Sequence, residues 1–320
     1  MRILYRFCKI LIDTLNISYC HKEEPYLKAE LLSNLEKVTE VKYHNGECSY
    51  QSKYKDYSIT LGRSNLSLRG SIAKQYYGNN FQTTTRPQLI ETIGELSEHL
   101  NFDISECKVN RVDVSTNYEM NHSPPVYFDS LGQDKYYKRQ PQWNTTVYWN
   151  QTKRKKLCYD KGQWAKDKGL LIPLEFRGLN IFRFENRLMS SFVVSEVIGK
   201  LKPLVKHLYD EDTYKGLIDE WYRQWQNIEK IHKLNFDLKA NMKQSEIEDL
   251  MMAGFMEAMG QDGYGTLLQR MKDYGVFNHP SQYTRFKNAM RNKMEKHNVE
   301  HNPLMQELEL KIGDVEVYYS

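Results

Sequence analysis

The chain has 320 residues, 40% hydrophobic and 27% charged, which allows a sizeable core and up to two domains. Its net charge of +4 permits an anionic partner without demanding one. With a mean hydropathy of −0.71 it has no apolar run near the roughly 18 residues that span a bilayer, so no membrane segment is expected. The five cysteines, Cys8, Cys20, Cys48, Cys107 and Cys158, are scattered and form no C-x-x-C pair. That argues against a disulfide framework or a zinc finger, and for a reducing cytoplasm.

Residues 1–20 have a faint signal-peptide look, but Arg6, Lys9 and Asp13 break the apolar run and no small-residue cleavage site is present after it. They read as a strand or helix entering the fold. Stretches rich in β-branched and aromatic residues predict strands at 12–18, 57–61, 66–69, 108–116, 145–150, 156–161 and 179–188. In 86–100 the apolar residues Leu89, Ile90, Ile93, Leu96 and Leu100 follow helical spacing, and 30–38 is a weaker helix.

Beyond residue 190 the strand signals fade. Helices are predicted at 195–207 and 214–234. Ser245-Glu-Ile-Glu248 reads as a capping box opening a Met-rich helix to Met259. Gly260, Gly263, Gly265 and Gly275 punctuate the next stretch, and a basic helix covers 281–297 with Arg285, Lys287, Arg291, Lys293 and Lys296. This helix–turn–helix order suits either a DNA-contacting module or a solvated helix packed by Tyr283, Phe286 and Met290. The acidic tail 307–320 suggests an edge strand. The expected fold is α+β: a mainly antiparallel sheet with flanking helices over 1–190, followed by a mostly helical DNA-binding or support region over 191–320.

Three predicted strands carry unusual side chains. Arg111-Val112-Asp113, Tyr159-Asp160-Lys161 and Arg183-Phe184-Glu185-Asn186-Arg187 each set polar groups two residues apart. Residues i and i+2 of a strand share a face. Side by side, these strands would present Arg111, Asp113, Tyr159, Lys161, Arg183, Glu185 and Arg187 together. Two carboxylates, a phenol and several cations suit metal-assisted chemistry on a phosphate with a tyrosine nucleophile; cross-strand ion pairs such as Asp113–Arg183 and Glu185–Arg111 are the plainer alternative. Upstream of Lys161, Lys153, Arg154, Lys155 and Lys156 form a basic run interleaved with Tyr148, Trp149, Tyr159 and Trp164. Such mixtures bind single-stranded nucleic acid, although a basic run also makes an ordinary solvated face. There is no P-loop, G-x-G-x-x-G, G-x-S-x-G or His-x-His pair, which disfavours nucleotide hydrolysis, dinucleotide binding, serine hydrolysis and a two-histidine nickase.

The block Trp143, Thr146, Val147, Trp149, Asn150, Thr152, Tyr159 and Lys161 resembles the W-x-x-T-V-x-W-N-x-T and Y-x-K pattern of filamentous phage replication initiators, the gene II/X family. Arg111-Val-Asp113 resembles that family's R-[IV]-D strand, and Arg183-Phe-Glu185-Asn-Arg187 its R-F-E-x-R strand. Residues 67–80, ending in Asn80, resemble a fourth block, and Asp13 falls in its N-terminal strand. Rep proteins of staphylococcal rolling-circle plasmids share the same logic. The segment from Asn150 to Tyr159 is slightly shorter here, and Asp160 stands where the phage proteins are apolar. The resemblance implies a rolling-circle initiator that nicks one strand of a phage or plasmid origin. Tyr159 would be the nucleophile and Tyr148 the next candidate. Lys161 would stabilise charge, Asp113 and Glu185 would hold Mg²⁺ or Mn²⁺ (Glu175 or Asp13 as spare carboxylates), and Arg111, Arg183, Arg187 and the 153–156 run would bind phosphates. The partners implied are double-stranded origin DNA, its single-stranded product, a host helicase and a second copy in a homodimer, with no membrane. The rival readings are a non-catalytic origin-binding initiator and a relaxase-like strand transferase.

Overall fold

The computed structural model describes residues 11–22, 24–44, 46–142, 145–231, 241–297 and 303–313. Residues 1–10 of the stretch expected to enter the fold, Trp143 of the tryptophan block and the end of the acidic tail lie outside these residues. In chain order the elements are β1 (Leu11–Cys20), α1 (Pro25–Asn34), β2 (Thr39–Lys42), β3 (Cys48–Tyr54), β4 (Tyr57–Leu61), β5 (Asn65–Ser71), α2 (Ile72–Tyr77), α3 (Arg86–Leu100) and β6 (Lys108–Met120). Then come α4 (Pro125–Phe128), β7 (Lys138–Gln142), β8 (Thr146–Asn150), β9 (Arg154–Asp160), α5 (Lys161–Asp167) and β10 (Asn180–Leu188). The rest is helical: α6 (Ser191–Ile198), α7 (Glu211–Gln226), α8 (Gln244–Asp273), α9 (Pro280–His297) and α10 (Pro303–Gly313).

The ten strands form one antiparallel sheet in the order β2-β3-β4-β5-β1-β6-β10-β9-β8-β7. The expected α+β class with a mainly antiparallel sheet is therefore present. Alternation sorts the strands into two faces. One face sends Leu15, Ile17, Ile59, Leu68, Val112, Val114, Phe182 and Phe184 into the core. There α3 contributes Leu89, Ile93, Leu96 and Leu100, and α7 lays Trp221 and Trp225 against Phe184, with ring centroids 5.1 and 5.3 Å away. Each such side chain stabilises the fold by about 1.5–3 kcal/mol through burial. Helix α3 begins where sequence places it because Thr85 and Gln88 close a capping box.

Several boundaries differ from expectation. Segment 195–207 is split: α6 ends at Gly199, which adopts φ 65°, and a short 3-10 turn covers Val205–Tyr209. Helix α8 runs through Gly260, Gly263 and Gly265 to Asp273, and is capped from Lys243 rather than Ser245. The tail begins as α10 rather than an edge strand, because Met305, Leu308 and Ile312 repeat at helical spacing and bury into the main core. Strands β2, β3 and β7 were not anticipated; they are short or polar. Helices α6, α7 and α10 share the core with the sheet, so the expected domain boundary at residue 190 falls inside it.

Candidate active site

The sheet's second face is polar where it should by composition be Thr or Val. Strands β6, β10 and β9 are adjacent: Arg187 stands opposite Asp113 and Lys155, and Arg183 opposite Asn117 and Tyr159. Directly opposed residues of antiparallel strands point to the same side. Arg111, Asp113, Tyr159, Arg183, Glu185 and Arg187 therefore converge. Lys161 joins by another route. Asp160 caps α5 by accepting from the Gln163 N–H at 2.8 Å, so Lys161 opens a helix instead of ending a strand. Its Nζ donates to Asn80 Oδ1 at 2.5 Å and lies 4.3 Å from the Trp164 ring centroid.

The charges interlock. Arg111 donates to both oxygens of Asp113 at 2.7 and 2.5 Å. Arg187 Nε lies 2.6 Å from Glu185 Oε1 and 3.7 Å from Asp113 Oδ2, so one nitrogen bridges the two carboxylates. Arg183 Nη2 donates to Asp13 Oδ2 at 2.5 Å, and its Nε lies 3.4 Å from Glu185 Oε2. Asp13 also accepts from Ser71 Oγ at 2.7 Å. The pairs run mainly along strands, between residues i and i+2, and not as Asp113–Arg183 and Glu185–Arg111. The Tyr159 hydroxyl lies 3.5 Å from Glu185 Oε2, and the phenol is only 5% exposed. Segment 79–81 covers this end: the Asn80 carbonyl accepts from Arg183 and from Asn117, at 3.2 and 3.3 Å, and the Phe81 carbonyl accepts from Asn117 at 2.8 Å.

Burial dominates the protonation states here. It pushes the Asp113 carboxyl up, with the Glu185 charge adding to the shift against Arg111. Glu185 meets the same burial, but Arg187 and Arg183 outweigh it and hold its carboxyl low. Burial also raises the Tyr159 phenol above its usual range, opposed by Arg183, and drives the Lys161 amine well below its own. A buried cluster of charges is costly, and displaced protonation on that scale is common at reaction sites.

The basic run expected to bind phosphates is divided by alternation. Lys155 stays on the polar face, half-exposed, 5.4 Å from the Tyr148 ring centroid. Lys156 is corrected: it points to the other face, fully buried, paired with Asp134 and donating to the Gln224 carbonyl at 2.9 Å. Arg154 points the same way, into Glu220 and Glu196. Both leave the phosphate-binding set. Lys153 is exposed in the turn before β9, over the Phe192 ring. Glu175 is exposed and accepts from Gln82 at 3.1 Å, outside the cluster. Asn80, Asn117 and Ser71 are members that residue-type reasoning passed over, although the 67–80 block held Ser71 and Asn80; Ser115 continues the Arg111, Asp113 alternation. Helix α9 keeps Arg285 and Lys287 exposed, whereas Arg291 lies 3.5 Å from Glu229.

The Phage_CRI family model, which describes the N-terminal part of a phage replication-associated protein, matches residues 11–203, from β1 to just beyond α6. The chain belongs to this family. No curated protein matches it. The match spans every strand of the sheet and the whole charged cluster, so the cluster sits inside the part of the chain that defines a phage replication-associated protein. Among the described residues no helix is long and apolar enough to cross a membrane.

A hard divalent cation is compatible with the residues present. Asp113 and Glu185 offer carboxylate oxygens around a shared arginine, and the Ser115 hydroxyl, opposite Glu185, is buried with no hydrogen-bond partner among the described residues. All three are hard oxygen donors of the kind Mg²⁺ and Mn²⁺ take.

Proposed function

We propose that this protein initiates rolling-circle replication by nicking one DNA strand at a phage or plasmid origin with Tyr159, and religates the strand after a round of synthesis. The observation that carries this reading is the placement of a phenol, two carboxylates and three arginines on adjacent strands of a replication protein of this family. In the reaction the Tyr159 oxygen attacks the scissile phosphorus and the bond to the 3′-oxygen breaks. A 5′-phosphotyrosine and a free 3′-hydroxyl result. The phenol proton passes to water once the hydroxyl is uncovered, Glu185 Oε2 at 3.5 Å orienting the O–H, and the departing 3′-oxygen takes a proton from water. Arg187 and Arg111, now engaged by carboxylates, are placed to turn onto the phosphate, where a planar guanidinium binds two oxygens. Asp113, Glu185 and Ser115 would hold Mg²⁺ or Mn²⁺, which when bound polarises the phosphate. Lys161 and Arg183 stabilise the phenolate in a site of low dielectric. The phosphotyrosine keeps the phosphodiester's energy, so the 3′-hydroxyl reverses the reaction without ATP.

The buried phenol must be uncovered before it meets DNA; the Trp164 ring of α5 lies 6.0 Å from it, centroid to centroid, and segment 79–81 holds the neighbouring Arg183 and Asn117. A second reading comes from that burial: Tyr148 lies on the same face, half-exposed beside Lys155, and is the alternative nucleophile. The chain has no P-loop, so strand separation is assigned to a host helicase; a homodimer would let two tyrosines act in turn. The test is a denaturing gel of supercoiled origin DNA with Mn²⁺, wild type beside Tyr159→Phe. Nicked DNA attached to wild type and none with the variant supports the proposal. Origin binding with no nick by wild type favours a non-catalytic initiator.

A further inference from the structure

The polar face extends far beyond the tyrosine site, and strand register lines its open residues up. In one half, Lys53 is opposite Ser58, Ser58 opposite Arg69, Arg69 opposite Asn16 and Asn16 opposite Arg111. At β6 the row steps by two residues, from Arg111 to its bonded partner Asp113, which faces Arg187. In the other half, Arg187 is opposite Lys155, Lys155 opposite Asn150 and Asn150 opposite Lys138. Nine of the ten strands contribute. Strands lie about 4.8 Å apart, so the row is roughly 38 Å long.

The row's chemistry is one-sided. Six positions are Lys or Arg, three are Ser or Asn, and all nine are exposed or half-exposed. The one carboxylate in it, Asp113, is buried beneath its arginines. Among the described residues, Lys53, Arg69, Lys138 and Lys155 have no ion-pair partner. Burial, and then the neighbouring Arg187 and Arg111 charges, lower the Lys155 amine. Such a charge row would be self-repulsive and lacks a structural use, whereas backbone phosphates neutralise it.

We propose that single-stranded DNA crosses the sheet along this row, its phosphates on Lys53, Arg69, Arg111, Arg187, Lys155 and Lys138, and so passes the carboxylate pair at its middle. This rests on the nicking reading for the identity of the site, but the surface stands on its own register and charge. A sheet rotates by about 20–25° per strand, so the row fans round as it crosses. A flexible single strand follows such a path; a stiff duplex does not. Tyr148, two residues from Asn150 on the same face, offers a base a stacking ring.

The experiment is fluorescence anisotropy of a labelled dT20 oligonucleotide with the full chain in EDTA, where no cleavage occurs, as a function of salt. Variants are Lys53→Glu, Arg69→Glu and Lys138→Glu, with Lys200→Glu at the far end of α6 as control and circular dichroism to check folding. Each row variant is expected to weaken binding about 10-fold and lower the salt slope by about 0.7 to 1, with the control unchanged. If the variants at the two ends, Lys53→Glu and Lys138→Glu, bind like the control, the track is refuted. If a 20-base-pair duplex binds as tightly and loses as much in the same variants, the assignment to a single strand is overturned. A protein that binds through the row yet never nicks refutes the tyrosine reading alone; one that nicks normally with all three variants bound as wild type refutes the row alone.

Discussion

The two faces of one strand, β9, have opposite physics. Lys156 and Cys158 are buried among the helices, and Lys156 survives there only by pairing with Asp134 and a carbonyl. Lys155, one residue away, stands over Tyr148 next to Arg187 on a face that carries charge across the whole sheet. Of two adjacent lysines, one is thus locked into the core and the other lies on the face proposed to bind DNA. A run of basic residues in a strand is two half-runs, and only one of them is a surface.

The largest expected effect tests the polar face: Tyr159→Phe removes the proposed nucleophile and leaves the ring, so nicking should fall at least about 10³-fold with the melting temperature little changed. Next in size is the other face. Lys156→Ala strands Asp134 in the core and should cost about 3–5 kcal/mol by denaturant unfolding, whereas Lys155→Ala should stay within about 0.5 kcal/mol. If both lysines cost the same, the division of β9 is wrong. The same pair inverts in binding: Lys155→Ala should weaken single-strand affinity several-fold, read by anisotropy against salt.

How far these faces were legible in sequence depended on the signal. Strand β4 and helix α3 were read to the residue from β-branched and aromatic enrichment and from helical apolar spacing, and the Thr85 cap sets the same helix start. Arg111, Asp113, Arg183, Glu185 and Arg187 were placed on one face by i, i+2 spacing alone. The fate of Arg154 and Lys156 followed from that same alternation, but the charge run obscured it. Lys161 was misplaced on a strand because Asp160 is both the last residue of β9 and the cap of α5, and only its strand role was read. Segment 79–81 was not legible as a cover, since its hold on the site runs largely through main-chain carbonyls, which carry no residue signature. The polar β3 and β7 gave little hydrophobic pattern, so the two ends of the proposed DNA track, Lys53 and Lys138, were invisible before register was known.

The smallest effect concerns the end of the chain. Glu307 accepts from the Tyr127 hydroxyl, the Asn121 N–H at 2.8 Å and Lys311 Nζ at 2.8 Å, docking α10 beside α4. Burial raises its carboxyl, but these donors outweigh burial and hold it below its ordinary value. A carboxylate lowered on folding contributes stability above its unfolded pKa, and this is lost as pH falls through the folded one. Wild type should therefore melt a few degrees above Glu307→Gln at neutral pH, and the gap should close on acidification below about 4.5. A gap that is unchanged at low pH removes Glu307 from the docking of α10.

The most direct measurement is the site of covalent attachment. The protein is incubated with a pool of random single-stranded oligonucleotides and Mn²⁺, denatured, digested, and its nucleotide-bearing peptide sequenced by mass spectrometry. Attachment through a 5′-phosphate at Tyr159 is the result this account requires. Attachment at Tyr148 moves the nucleophile to the open end of the same face, and attachment at a residue off that face contradicts the account.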